Sequence, residues 1–178
     1  VSEISQIISD PLYIEFKRQN PTSSRITGSS VVEDLMIHDI DIMLHALGFS
    51  DLSVQAKCND DVAAALCTSG NSVVYLSASR KSSKKIRMVH IEQEDMTIQG
   101  DFMAQEIYVH RKPGQYKVER DRYVQENIVE KVQVAKLEPL RAELSTFLMS
   151  VKTSTPFPIT SRQAIENLEF CEMIKEMF

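Results

Sequence analysis

The chain has 178 residues, 43% of them hydrophobic and 25% charged, and a formal net charge of −5 at pH 7. That length supports one domain with a sizeable core. The mild acidity excludes nucleic acid as a main partner, which would need a basic face, and no apolar run reaches the length of a membrane span. The three cysteines, Cys58, Cys67 and Cys171, contain no Cys-x-x-Cys pair. A disulfide framework and a zinc ribbon are therefore not expected, and free thiols point to a reducing, cytoplasmic compartment. No secretory leader is visible and the first residue is Val1, so the chain reads as a piece of something longer.

Ile4, Ile7 and Ile8 recur at helical spacing and predict a short amphipathic helix that ends at Asp10-Pro11. Leu12 to Arg18 then alternates. Leu12, Ile14, Phe16 and Arg18 share one face of a half-buried strand, and Tyr13, Glu15 and Lys17 share the other. A loop at Asn20-Pro21 and the lead-in from Arg25 to Gly28 follow.

Residues 30–48 predict the most informative helix. Ser30-x-x-Glu33 reads as a capping box and Gly48 as a left-handed C-cap. The segment is apolar nearly all round, which predicts burial. Asp34, His38, Asp41 and His45 interrupt it as one stripe at helical spacing. Buried polar groups need partners, so the stripe should line a cleft or be hydrogen-bonded internally. An Asp and a His four residues apart make either a satisfied helix pair or a catalytic dyad. Two Asp and two His on one face also admit zinc or iron, but a straight helix seldom delivers more than two ligands to one ion, and no metal is expected.

Residues 51–134 read as strands: 52–57, 63–68, 72–79, 85–92, 96–99, 105–110 and 128–135. Ser69-Gly70-Asn71 and the Lys/Ser run at 81–84 read as hairpin connections between antiparallel neighbours. Arg80, Lys81, Lys84, Lys85 and Arg87 form the one basic run, read as a solvated turn. Pro113-Gly114 marks a further turn, and 115–127 an excursion. Pro139 begins a helix whose apolar face is Leu140, Leu144, Phe147, Leu148 and Val151. Thr160-x-x-Gln163 caps a last helix with Ala164, Leu168, Cys171, Ile174 and Phe178 inward.

The order of elements predicts one α+β domain over 1–178, a largely antiparallel open sheet with helices packed on one face. Val73, Tyr75, Ile86 and Met88 make the opposite face partly apolar as well. Its simplest cover is the same sheet of a second copy, giving a homo-oligomer through the open sheet face.

The stretch from Ser30 to Asp41, with Asp34-x-x-x-His38-x-x-Asp41, resembles the helix of the glucose–fructose oxidoreductase / inositol dehydrogenase / rhizopine catabolism (Gfo/Idh/MocA) family. Pro139-Leu140-x-x-Glu143-Leu144-x-x-Phe147 and Pro156-Phe157-Pro158 resemble that family's C-terminal end. The resemblance covers essentially the whole chain and implies the C-terminal substrate-binding and oligomerisation domain of an NAD(P)-dependent sugar, polyol or nucleotide-sugar oxidoreductase. It further implies that His38 accepts the hydroxyl proton and that Asp34 holds a substrate hydroxyl or orients the imidazole. Asp41 matches the family's next acidic position and belongs with the substrate-binding candidates, with pairing inside the domain as its other reading. Arg18 and Arg25 are further candidates, because arginine suits capture of a carboxylate or phosphate, with pairing to surface carboxylates such as Asp10 or Glu33 as their other reading. Pro11-x-Tyr13-Ile14-Glu15-x-x-Arg18 looks like the branch acting on nucleotide-linked amino sugars.

The family's Rossmann half, with its Gly-x-Gly-x-x-Gly turn and Glu-Lys-Pro segment, has no counterpart in these residues. NAD or NADP is expected in the full-length protein, and neither cofactor binding nor turnover in this chain alone. A second reading, from a different class, is a non-catalytic α+β domain that binds a ligand or partner and whose polar stripe is internally satisfied.

Overall fold

The computed structural model describes residues 1–22, 28–112, 117–119, 122–124 and 127–177. Helix α1 (Ser2–Ile7) leads into strand β1 (Tyr13–Gln19). Helix α2 spans 32–46. There follow β2 (Ser53–Cys58), β3 (Val62–Ser69), β4 (Ser72–Ser79), β5 (Ile86–Glu92), β6 (Met96–Asp101) and β7 (Glu106–Arg111). A small ribbon, β8 (Lys117–Glu119) with β9 (Arg122–Val124), precedes β10 (Val129–Val132). Helices α3 (Pro139–Thr153) and α4 (Ser161–Glu176) close the chain.

The fold is α+β. One eight-stranded sheet runs in the order β10-β7-β6-β5-β1-β4-β3-β2. Its pairings are antiparallel except β1 with β4, which run parallel. The Ser69-Gly70-Asn71 hairpin forms between β3 and β4, with Gly70 at φ +57. The expected hairpin at 81–84 does not. Strand β1 lies between β4 and β5, so that connection crosses over β1. Local turn chemistry cannot reveal an earlier strand inserted between two later ones.

One face of the sheet is the core. Ile14 and Phe16 of β1, Val74 and Leu76 of β4, and Val89 and Ile91 of β5 are buried there. Val32, Leu35, Met36, Ile40 and Met43 of α2 and Phe170, Cys171 and Ile174 of α4 join them in one cluster. Each such side chain contributes about 1.5–3 kcal/mol when fully buried. Gly100 on β6 is where α1 crosses the sheet. A Cβ there would sit 3.0 Å from the Ile4 side chain and 2.8 Å from Val89.

The two terminal helices differ from expectation. Pro139 is the first residue of α3, and the Glu138 side chain accepts from the Arg141 N–H at 2.7 Å. Yet α3 buries none of its residues, and Leu144 and Leu148 are 53% and 64% exposed. In α4 the Thr160/Gln163 capping box forms, and Cys171 and Ile174 point inward. Ala164 and Leu168 do not, and Asn167 and Phe170 take the inward seats. A polar residue wins an inward seat here because its amide has partners on α2, which periodicity cannot weigh. Phe178, Pro113-Gly114 and residues 115–116, 120–121 and 125–126 lie outside the described residues, and the expected excursion at 115–127 carries the β8–β9 ribbon.

All three cysteines are free, and burial pushes the thiols of Cys67 and Cys171 up to about 12. No helix among the described residues is long and apolar enough to cross a membrane.

Candidate functional site

Helix α2 is held firmly at both ends. Ser30 N–H and Oγ–H both donate to Glu33 at 2.9 Å, and the Glu33 N–H donates back to Ser30 Oγ at 3.3 Å, completing the capping box. Lys175 of α4 adds a 2.8 Å ion pair to Glu33. These bonds hold the Glu33 carboxyl down at about 2. At the far end Gly48 adopts φ +74 and the Phe49 N–H closes on the Met43 carbonyl at 3.1 Å.

A depressed carboxyl stabilises the fold above its unfolded value, and that contribution is lost as pH falls through the folded value. We therefore expect acid-dependent loss of stability between the ordinary 4.5 and about 2. Glu33→Gln should flatten the unfolding midpoint over that window. An unchanged slope would show that Glu33 does not set it.

The helix is not uniformly wound. Val32–Met36 and Ile42–Ala46 are π-helical turns, and Ile37–Asp41 is α-helical. Wider turns rotate side chains away from 3.6-residue spacing, so the stripe of Asp34, His38, Asp41 and His45 divides among three settings. Asp34 takes a 3.3 Å bond from Arg80, whose guanidinium also donates to the Ser29 and Ser30 carbonyls at 2.9 Å. Asp41 accepts from the Asn167 amide at 2.8 Å, and His45 Nε2 meets the Asn167 carbonyl oxygen at 3.1 Å. Only His38, at the middle of the helix, is exposed and makes no hydrogen bond with a described residue.

The polar centre beside His38 is one that periodicity overlooked. Arg18, on the inward face of β1, donates from Nε to Asp39 at 2.9 Å and from Nη2 at 2.6 Å. Both residues are buried, at 6% and 3% exposure. Burial raises the Asp39 carboxyl above its ordinary range, and the two Arg18 bonds pull against it. Arg87 of β5 stands directly opposite Arg18 in the antiparallel register. Its Nε is buried without a hydrogen-bond partner. Desolvation and the Arg18 charge lower the His38 pKa, so the ring is a neutral imidazole at pH 7.

The expected site residues are thus dispersed. Arg18, read either as open to a ligand anion or as paired with a carboxylate such as Asp10 or Glu33, spends its fork on the buried Asp39. Asp41 is tied to α4. Arg25 lies outside the described residues. The basic run is not simply a solvated turn: Lys81, Lys84 and Lys85 are exposed, but Arg80 clamps the start of α2 and Arg87 turns inward. Asp39, Arg80, Arg87 and Asn167 join the site although the sequence pattern does not single them out. One signal was present, since an arginine closing an apolar strand face requires a carboxylate on the element packed against it.

Among the described residues no three His, Cys, Asp or Glu converge as a metal would require. The glycines stand at 28, 48, 70, 100 and 114, without Gly-x-Gly spacing.

No protein-family model matches the chain. UDP-N-acetylglucosamine 3-dehydrogenase from Acidithiobacillus ferrooxidans is 30% identical over 158 residues, 82% of this chain and 48% of that protein. The solved structure of that dehydrogenase, GnnA, superposes with a TM-score of 0.81 at 26% identity, covering 98% of this chain and 57% of its own. The chain is similar to the C-terminal part of Gfo/Idh/MocA-type dehydrogenases. A levoglucosan dehydrogenase in complex with NADH and L-sorbose shares the fold, with a TM-score of 0.73 at 15% identity over 99% of this chain and 59% of its own. The chain spans about half the length of the curated relative it matches, 48%.

Proposed function

We propose that this domain is the substrate-binding half of an NAD(P)-dependent dehydrogenase acting on a nucleotide-linked sugar. The observation that carries the reading is His38, an exposed imidazole with no hydrogen-bond partner among the described residues, beside a buried ion pair in a chain similar to sugar and nucleotide-sugar dehydrogenases. A neutral imidazole in water-accessible space accepts a hydroxyl proton. Arg18 and Asp39 act as positioning residues, fixing the helix turn that presents His38. Asp34, held by Arg80, faces the substrate with its remaining acceptor capacity, and Asp41 fixes α4 against α2. NAD or NADP would be held by residues outside this chain, and the apolar side of α3 is the surface left for such a neighbour. An assay of the full-length protein with UDP-N-acetylglucosamine and either nicotinamide cofactor tests the reading. Reduced nicotinamide should accumulate; none with any nucleotide sugar of a panel would overturn it.

The second role is association. Leu66 and Met88 on the open sheet face are 40% and 42% exposed, and Tyr75 lies beside Leu66 in register. Pairing of two such faces about a two-fold axis would cover them. Light scattering should give a multiple of the monomer mass that drops to the monomer for Leu66→Glu with Met88→Glu. An unchanged oligomer would move the interface elsewhere.

A further inference from the structure

We propose that Arg87 receives an anionic group of the substrate, phosphoryl or carboxylate, beside His38. The proposal rests on the reading of this face as substrate-binding and adds to it a residue that selects charged over neutral sugars.

Arg18 and Arg87 are directly opposed across β1 and β5, and both project toward α2. Like charges directly opposite destabilise a strand pair unless something compensates them. The compensation present is uneven. Both Asp39 oxygens accept from Arg18. Asp34, one turn before His38 on α2, is engaged by Arg80. Arg87 is left with a buried, unpaired Nε. Leaving a charged donor unpaired and out of water costs more than leaving a neutral one. A guanidinium offers parallel donors that match a phosphoryl or carboxylate fork. A neutral sugar hydroxyl would leave the second positive charge without a counter-ion of its own. An anion on the outer guanidinium nitrogens of the half-buried Arg87 offsets that charge, next to the base that would act on the same molecule.

The test is calorimetric titration of the full-length protein without turnover, in wild type, Arg87→Gln and Arg87→Lys. The probes are UDP-N-acetylglucosamine, its 6-carboxylate analogue, inorganic pyrophosphate and N-acetylglucosamine. Loss of one charge-assisted contact should weaken the anionic probes by roughly 10–100-fold in Arg87→Gln. Arg87→Lys should recover part of that, N-acetylglucosamine should be unaffected, and thermal midpoints should stay together. Weakening of UDP-N-acetylglucosamine and pyrophosphate assigns the group as phosphoryl, and weakening of the 6-carboxylate analogue alone as carboxylate. Equal affinities for every anionic probe in wild type and Arg87→Gln, or no binding of any anionic probe by wild type, would overturn the proposal. Because binding is read without chemistry, absence of dehydrogenase activity would sink the enzymatic reading separately.

Discussion

Replacing His38 with alanine in the full-length protein should lower kcat by roughly 10²–10⁴-fold, the range for removing a general base. KM should change little, because a proton acceptor gains its interaction in the transition state rather than the ground state. The pH profile gives the sharper check. His38 must be neutral to act, and crowding and the Arg18 charge lower its pKa from the ordinary 6.5. The acid limb of kcat/KM should therefore lie below that ordinary value, with activity lost as pH falls through the depressed pKa. In His38→Ala the limb should vanish with the rate. Full kcat in this variant would remove His38 from the chemistry.

Asp39→Ala should be the most damaging single change to stability in the domain. The Asp39 carboxylate is 3% exposed and takes both bonds from Arg18, with Arg87 opposite. Removing it leaves two adjacent guanidiniums without a counter-charge. Breaking a buried pair in this way costs about 3–5 kcal/mol, and for a domain of this size that lowers Tm by roughly 6–20 °C. Arg18→Met should cost less, since it also relieves the opposition to Arg87. The double change Arg18→Met with Asp39→Leu should recover much of the loss, because apolar side chains of similar volume can replace a buried ion pair. Thermal unfolding of the wild type, Asp39→Ala, Arg18→Met, Asp39→Leu and the double variant settles it. Additive losses in the double variant would mean that the pair is not acting as a unit.

Much of the fold was legible because it is written in local chemistry. The boundaries of α2 followed from Ser30, Glu33 and Gly48, whose side-chain and backbone preferences act within a few residues. The same holds for Thr160 with Gln163 and for the alternation in β1. Arg18 was visible as an odd residue on an apolar face, but its partner was not, because the nearer match to any heptad or stripe was Asp34 or Asp41. Those acidic residues form the polar stripe, whereas Asp39 sits among the buried apolar positions Leu35, Met36, Ile40 and Met43, where only the packing of β1 against α2 supplies its partner.

By itself, the sequence determined where the helices cap, which strand faces are apolar, and the family resemblance carried by Asp34, His38 and the Pro139 helix. Those properties depend on side chains at fixed short spacing. The tertiary structure alone decided that β1 lies between β4 and β5, that Asn167 rather than Leu168 faces inward, and that His38 stands free while Asp34 and Asp41 are held. It also set Arg87 beside a partner that Arg18 had already taken. Each of these is a competition between groups far apart in the chain for one place or one hydrogen bond, and only packing ranks the competitors.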